Sequence, residues 1–173
     1  MEQWDLYDEN GVVTGKRIAR RDAAKIPQGL FHAVAEIWVI ANGKILLTQR
    51  HPDKSHPLCW ECSGGSVLAG ETTAAGAVRE LGEEVGIHVQ EDVLVFCGRD
   101  FYPSRRYFCD TFLLRTRVDL AALVLQPTEV VGARLVTLAE AEKMNAAGML
   151  CEAPWARFCT YQAIILNSGA DRI

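Results

Sequence analysis

One stretch of the chain, TTAAGAVRELGEEVGI at residues 72–87, restricts the fold more than any other. Its apolar residues recur at i, i+3, i+4 and i+7, which predicts an amphipathic helix over Thr72–Val85. Gly86 follows where a glycine commonly ends a helix in the left-handed conformation. The apolar face of this predicted helix is formed by Ala74, Ala77, Val78, Leu81 and Val85.

Three glutamates, Glu80, Glu83 and Glu84, crowd the last turn of this helix. Like charges three or four residues apart repel one another, and the negative end of the helix dipole adds to the cost. Gln forms a helix as well as Glu does, so helix propensity does not explain the cluster. A hard dication bound on this face would explain the cluster, because Mg²⁺ binds carboxylate oxygens and phosphates. The alternative is a solvated acidic helix end, partly compensated by Arg79.

The flanking segments predict strands joined by tight turns. Asn10-Gly11 and Asn42-Gly43 each interrupt an alternating apolar pattern, which is typical of a β-hairpin. Residues 51–58 form a loop rich in Pro and His, and further strands are predicted at about 92–101, 106–117 and 130–137. Hairpins outnumber crossovers, so the pattern favours an α/β domain whose sheet is mixed or mostly antiparallel.

Two further helices are predicted in the C-terminal third. Thr137 and Glu140 form a capping box that opens a short helix. Pro154 is suited to the first turn of a last helix. The apolar face of that helix is predicted to include Trp155, Phe158, Ile164 and Ile165.

Length and charge limit the function classes. The 173 residues, 49% hydrophobic, suffice for one domain spanning 1–173, with residues 1–30 as an N-terminal hairpin extension. The net charge is −4 and the basic residues form no stripe, which argues against nucleic acid as a partner. No apolar run reaches the ~18 residues of a membrane span. The acidic N-terminus does not resemble a secretory leader. A soluble cytoplasmic protein is expected.

Six cysteines are present, including the Cys59-x-x-Cys62 pair. A structural zinc site needs a second ligand pair at matching spacing, and the sequence contains none. Because free Cys behaves as a small hydrophobe, reduced and mostly buried thiols are predicted, with a redox pair as the alternative.

The spacing around the helix resembles the Nudix box, G-x5-E-x7-R-E-U-x-E-E-x-G-U with U aliphatic. Gly65, Glu71, Arg79 and the residues up to Ile87 meet all nine defined positions over 23 residues. The order of elements is similar to the Nudix α/β/α sandwich with a mixed β-sheet and an N-terminal β-hairpin. A chance match in another fold is the alternative.

The resemblance implies roles for the box residues at 65–87. Glu80, Glu83, Glu84 and the Gly65 carbonyl match metal ligands, and Glu83 or Glu84 matches the residue that activates water. Arg79 matches the arginine that orients a catalytic glutamate, and Glu71 matches its supporting partner. Mg²⁺ or Mn²⁺ is the implied cofactor. Metal-assisted attack of water on a diphosphate uses these groups.

Residues outside the box extend the candidate site. Glu129 resembles the glutamate that many Nudix enzymes carry before their last strand, as a base or ligand, although a plain loop carboxylate is an equal alternative. Arg50 is either a phosphate contact or a solvated strand end. Tyr102, Arg105 and Tyr107 are candidates to contact a base or a terminal phosphate, with surface packing as the alternative.

The N-terminal region also resembles the Nudix subgroup related to isopentenyl-diphosphate isomerase. Of that enzyme's Cys and three His, only His32 has a counterpart here. Gly64 stands at the Cys position, Ser66 at a second His position, and Lys25 near the third. Its Glu-x-Glu pair is replaced by Arg105–Tyr107. Isomerase chemistry is therefore disfavoured.

A divalent-metal-dependent pyrophosphohydrolase is the predicted function. Its substrate would be a small-molecule nucleoside diphosphate linked to another moiety X. A catalytically silent Nudix module that only binds a ligand is the main alternative. Because many relatives are dimers, the resemblance also implies a homodimer.

Overall fold

The structure is a computed structural model, and it describes residues 1–167. These residues form nine strands and three α-helices. The strands are β1 (Gln3–Tyr7), β2 (Val13–Ala19), β3 (His32–Ala41), β4 (Lys44–Arg50), β5 (Trp60–Glu61), β6 (Ser63–Ser66), β7 (Val95–Tyr102), β8 (Tyr107–Arg115) and β9 (Val130–Val136). The helices are α1 (Thr73–Val85), α2 (Leu138–Ala146) and α3 (Glu152–Asn167).

The sheet is mixed, as the hairpin pattern predicts. β3 and β8 are parallel, whereas β3–β4, β3–β6, β4–β9 and β7–β8 are antiparallel. Asn42 and Gly43, which turn β3 into β4, both have positive φ values of 52° and 72°. A type I′ hairpin turn requires this conformation at both positions. The N-terminal hairpin β1–β2 forms a separate two-stranded sheet.

The central strand β3 is buried on both faces, which explains its continuous apolar run. Alternate residues such as Ala35, Ile37 and Val39 pack with Leu81 and Val85 of α1. Trp38 on the opposite face packs with residues of α3, including Phe158. Helices therefore cover both faces of the sheet, and the predicted α/β/α sandwich is confirmed.

Helix α1 is capped as its sequence predicts. The Thr72 side chain accepts a hydrogen bond from the Ala75 N–H, and Gly86 ends the helix with φ 74°. The capping box of α2 at Thr137 and Glu140 is also present. None of the helices in residues 1–167 combines the length and the apolar character that crossing a bilayer requires.

The structure differs from the sequence-based prediction in the buried face of α3 and in the first residue of β7. Ile164 is 38% exposed, so it does not belong to the buried face of α3, and the buried positions include Arg157. An apolar pattern cannot place a buried arginine. Strand β7 begins at Val95 and not at about 92, because residues 91–93 form a 3₁₀ turn.

The prediction that all cysteines are reduced is wrong for one pair. Cys59 and Cys151 form a disulfide, with their Cα atoms 5.4 Å apart. The backbone at Trp60 exchanges hydrogen bonds with Met149 and Cys151, and this pairing brings the two cysteines together. The pair is separated by 92 residues, so no local pattern announces it. Cys62, Cys97 and Cys109 are free and buried, as predicted, whereas Cys159 is free and exposed.

Candidate functional site

Gly65 in strand β6 lies directly against the box helix. A Cβ atom at this position would lie 2.4 Å from Oε1 of Glu80, which is far inside any normal contact distance. A larger residue here would push the Glu80 carboxylate away from its place, so glycine allows the strand backbone to approach that carboxylate this closely. The close approach brings two of the predicted metal-binding groups together.

Arg79 is the central hydrogen-bond donor of the box. Its guanidinium donates hydrogen bonds to Glu71 (2.8 and 3.1 Å), to Glu80 (2.9 Å) and to Glu83 (3.1 Å). It also donates to the Ser66 carbonyl at 3.0 Å, which ties the helix to β6. One positive charge thus serves three carboxylates, and the planar fork of Arg suits this role better than Lys would.

Glu84 is the most buried of the three glutamates in the last turn, with 6% exposure. Burial, followed by the nearby charges of Glu80 and Glu61, raises the pKa of the Glu84 carboxyl to about 8. A hydrogen bond with Ser63 opposes this shift only in part. The box therefore contains a carboxylate whose charge is poorly compensated by the protein itself.

Two basic side chains, Lys54 in the loop at residues 51–58 and Arg50 at the end of β4, lie near the acidic helix. Lys54 forms an ion pair with Glu129 and also lies within electrostatic range of Glu80 and Glu84. Arg50 is not a solvated strand end, because it pairs with Glu61 and is only 17% exposed. Glu129, predicted as a base or ligand, is thereby linked to the box through Lys54.

Glu61 and Lys54 are members of the site that sequence reasoning missed. Glu61 lies inside the Cys59–Cys62 segment, where the cysteines dominate the pattern. Burial raises the pKa of the Glu61 carboxyl, although Arg50 opposes the shift. A charged residue at the end of a short buried strand was the signal that could have identified it.

The donor set suits a hard divalent cation. Within residues 1–167, no three Asp, Glu, His or Cys side chains already converge as a metal cage does. Glu80 and Glu83 are instead turned onto Arg79. Oxygen ligands, and carboxylates that outnumber the one arginine paired with them, are nevertheless the features that suit Mg²⁺.

The N-terminal hairpin braces the loop of the box. The Asp5 carboxylate accepts a hydrogen bond of 2.6 Å from the Gly70 N–H and pairs with Arg17 at 2.9 Å. The Ala69 N–H donates to the Gln3 carbonyl at 2.8 Å. The hairpin thus holds the segment between β6 and α1, whose conformation sets the start of the box helix.

His32, and Cys62 two residues before the Gly64 that stands at the isomerase Cys position, lie in surroundings unsuited to isomerase chemistry. His32 stacks on Trp4 with ring centroids 4.2 Å apart, and burial lowers the pKa of His32 to about 4. Cys62 is fully buried, and this burial raises the pKa of its thiol well above the ordinary value. A neutral histidine and a protonated thiol are typical of a core.

Comparison with known proteins identifies the family. The NUDIX domain profile matches residues 30–155, which is most of the chain. A Nudix hydrolase of Listeria monocytogenes is 36% identical over 151 residues, covering 86% of this chain and 87% of the relative. The chain therefore belongs to the Nudix hydrolase family.

Solved structures agree on the fold. The DR0079 protein of Deinococcus radiodurans aligns with a TM-score of 0.73 and 24% identity, covering 92% of this chain and 98% of that one. The NUDIX domain of Shewanella oneidensis NrtR, solved with ADP ribose, aligns with a TM-score of 0.62 and 13% identity, over 76% and 86% of the two chains. At these identities the likeness concerns the fold alone.

Proposed function

We propose that this protein is a Mg²⁺- or Mn²⁺-dependent pyrophosphohydrolase that acts on a nucleoside diphosphate linked to another moiety. The observation that carries the proposal is the acidic excess at the end of α1. Arg79 serves Glu71, Glu80 and Glu83, while Glu84 is buried beside Glu80 and Glu61. A cation added to this group would relieve repulsion that the protein leaves uncompensated.

The chain's own residues then divide the work. Glu80, Glu83, Glu84 and the Gly65 carbonyl would hold the cation, which neutralises the diphosphate oxygens and activates water when bound. Arg79 holds Glu80 and Glu83 in position, and Glu71 holds Arg79 in turn. Glu83, Glu84 or Glu129 would accept the proton of the attacking water. Lys54 would present positive charge toward the phosphates, whereas the charge of Arg50 is neutralised by Glu61.

Several broader features belong to the same proposal. Residues 1–173 would act as one Nudix domain, with residues 1–30 as an extension that braces the box at 65–87. A homodimer and a cytoplasmic location stay predictions, as does the absence of nucleic-acid partners. Since disulfides persist mainly in oxidising compartments, the redox state of Cys59 and Cys151 in cells bears directly on the location.

Isomerase activity is not favoured. The resemblance of the N-terminal region to the isomerase-related subgroup stays a prediction. His32 is held neutral by burial and Cys62 is protonated in the core, so neither is poised for proton transfer to an alkene.

A substrate screen tests the proposal. Phosphate release, after phosphatase treatment where needed, would be measured on nucleotide sugars, dinucleoside polyphosphates, NADH, CDP-alcohols and nucleoside di- and triphosphates. Turnover that needs Mg²⁺ or Mn²⁺ and stops in EDTA is the expected result. Binding of these compounds without turnover of any would favour the silent binding module instead.

A further inference from the structure

A cavity, separate from the proposed metal-binding groups, adjoins the box through Glu61. It has a volume of about 650 Å³, and its lining includes Arg50, Glu61, Tyr102, Arg105 and Tyr107. This volume falls within the range of small-molecule sites. Glu61 lines the cavity and also interacts electrostatically with Glu84. A ligand in the cavity can therefore extend a phosphate chain toward the box.

The cavity has an aromatic wall. Tyr102 and Tyr107 stack on each other with ring centroids 4.8 Å apart and planes inclined by 28°. Both rings are partly exposed. The first turns of α3 contribute small residues to the lining, namely Ala153, Pro154 and Ala156. An aromatic wall together with short side chains leaves room for a flat ring.

The aromatic wall is held in place by a buried charge network. Arg157 donates a hydrogen bond of 3.0 Å to the Tyr102 hydroxyl and pairs with Glu36 at 2.5 Å. Arg157 Nε is buried without a hydrogen-bond partner in residues 1–167. Such a network adds little net stability over apolar packing. Its clearest effect is to position the Tyr102 ring.

The charged side chains of the lining further restrict the chemical class of ligand that the cavity can bind. Arg50 is neutralised by Glu61, and Arg157 is neutralised by Glu36. Arg105 is exposed at the rim, where it can donate to polar atoms of a ring edge. An aromatic wall with exposed polar side chains around it suits a heterocycle better than an isoprenoid chain, which has no polar edge.

We propose that this cavity binds the nucleobase of the substrate by stacking on the Tyr102–Tyr107 pair. The proposal rests on the proposed hydrolase function, and it names the part of the substrate that the box does not contact. Arg157 is a positioning residue for Tyr102, and Arg105 contacts the polar edge of the base. Stacking of this kind tolerates different bases because every base has an aromatic face.

Binding in EDTA tests the cavity without using catalysis. Calorimetric titration would compare the four nucleoside 5′-monophosphates with ribose 5-phosphate and isopentenyl diphosphate. At least one nucleotide is expected to bind tenfold or more tightly than ribose 5-phosphate. Equal affinity for nucleotide and ribose 5-phosphate would overturn the proposal, as would tighter binding of isopentenyl diphosphate than of any nucleotide.

Matched variants locate the binding. Tyr102→Ala is expected to weaken nucleotide binding at least tenfold, while Tyr102→Phe, which keeps the ring but loses the hydrogen bond from Arg157, should weaken it less than Tyr102→Ala does. Ala156→Phe fills the cavity from an exposed position of α3 and should also cost tenfold or more. Ala163→Phe, on an exposed part of α3 outside the lining, is its control. Unchanged nucleotide affinity in folded Ala156→Phe would refute the cavity as the base site.

The outcome for the cavity is separable from that for the hydrolase. A protein that hydrolyses a nucleoside diphosphate derivative but fails the binding tests retains the proposed function and loses the base site. A protein that binds nucleotides through Tyr102 in EDTA, yet hydrolyses nothing with Mg²⁺, retains the base site and loses the hydrolase.

Discussion

Two charged clusters in this molecule are built around one arginine each, and they differ in balance. Arg157 pairs with the single carboxylate Glu36, which also accepts hydrogen bonds from Thr111 and Trp38. Arg79 instead faces three carboxylates, and Glu84 lies buried beyond its reach.

The difference separates an internal pair from a site prepared for a partner. The Arg157–Glu36 cluster is electrically neutral within the fold, with Arg157 Nε as its one nitrogen that has no hydrogen-bond partner in residues 1–167. The Arg79 cluster holds more negative charge than the protein compensates, which is costly at a helix C-terminus. Charge balance thus distinguishes two groups that look alike as arginine–glutamate contacts.

The largest effect is expected from removing one charge of the unbalanced cluster. Glu84→Gln keeps the shape of the side chain, but turnover should fall by 10³ or more, equivalent to ~4 kcal/mol of transition-state stabilisation. Steady-state kinetics with saturating Mg²⁺ measures this. Glu142→Gln, on the exposed face of α2, serves as the matched control. A loss of less than tenfold at Glu84 would contradict its proposed role.

Disrupting the Arg157–Glu36 cluster should change the free energy of unfolding. Arg157→Met leaves Glu36 buried without its cation and should lower the free energy of unfolding by ~3–5 kcal/mol. The double variant Arg157→Met/Glu36→Gln removes both charges and should recover most of this loss. Urea denaturation of the three proteins measures the effect. If the double variant is as unstable as the single one, the pair is not a self-contained unit.

Adding Mg²⁺ should change the stability of the protein through the glutamates around Arg79 and not through the Arg157–Glu36 pair. In EDTA at pH 8, Glu84→Gln should be more stable than the parent by at least ~0.5 kcal/mol, because burial and repulsion both disfavour the ionised carboxylate in the folded state. Mg²⁺ at 100-fold excess over its dissociation constant should stabilise the parent by ~2.7 kcal/mol and the variant little. Thermal melts with and without Mg²⁺ show both effects. A variant that is less stable in EDTA but keeps the full Mg²⁺ shift would mark Glu84 as structural.

His32 offers a pH test of a buried group outside both clusters. Burial lowers its pKa from 6.5 to about 4, so the unfolded chain binds the proton first as the pH falls. Stability should therefore be complete above pH 6.5 and decline toward pH 4, by about 2 kcal/mol at pH 5. His32→Phe, which keeps a ring against Trp4, should lack this component. His88→Phe is the exposed control, and equal pH profiles for His32→Phe and the parent would refute the prediction.

The smallest effect is expected at Cys62. Its thiol is buried and protonated, so Cys62→Ser should leave turnover within a few-fold of the parent. The same steady-state assay applies. A loss of 10³ or more would give this cysteine a chemical role and revive the comparison with the isomerase.

Local patterns determined much of this protein. The spacing of Ala77, Leu81 and Val85, with Thr72 and Gly86 at the ends, placed helix α1 correctly. The Asn42-Gly43 turn set the β3–β4 hairpin, because its backbone conformation is a local property. The box spacing identified the family, which the profile match then established.

Long-range contacts were decided only by the tertiary structure. Glu61 and Lys54 join the box although they precede it in the chain, and Cys59 meets Cys151 across 92 residues. Arg157 pairs with Glu36 from a helix that the apolar pattern described incompletely. Periodicity reports which face of an element is buried, but it carries no information on which element covers that face. Which residues pair, how their charges balance and what shape a cavity takes therefore follow from packing. Packing depends on the whole chain at once.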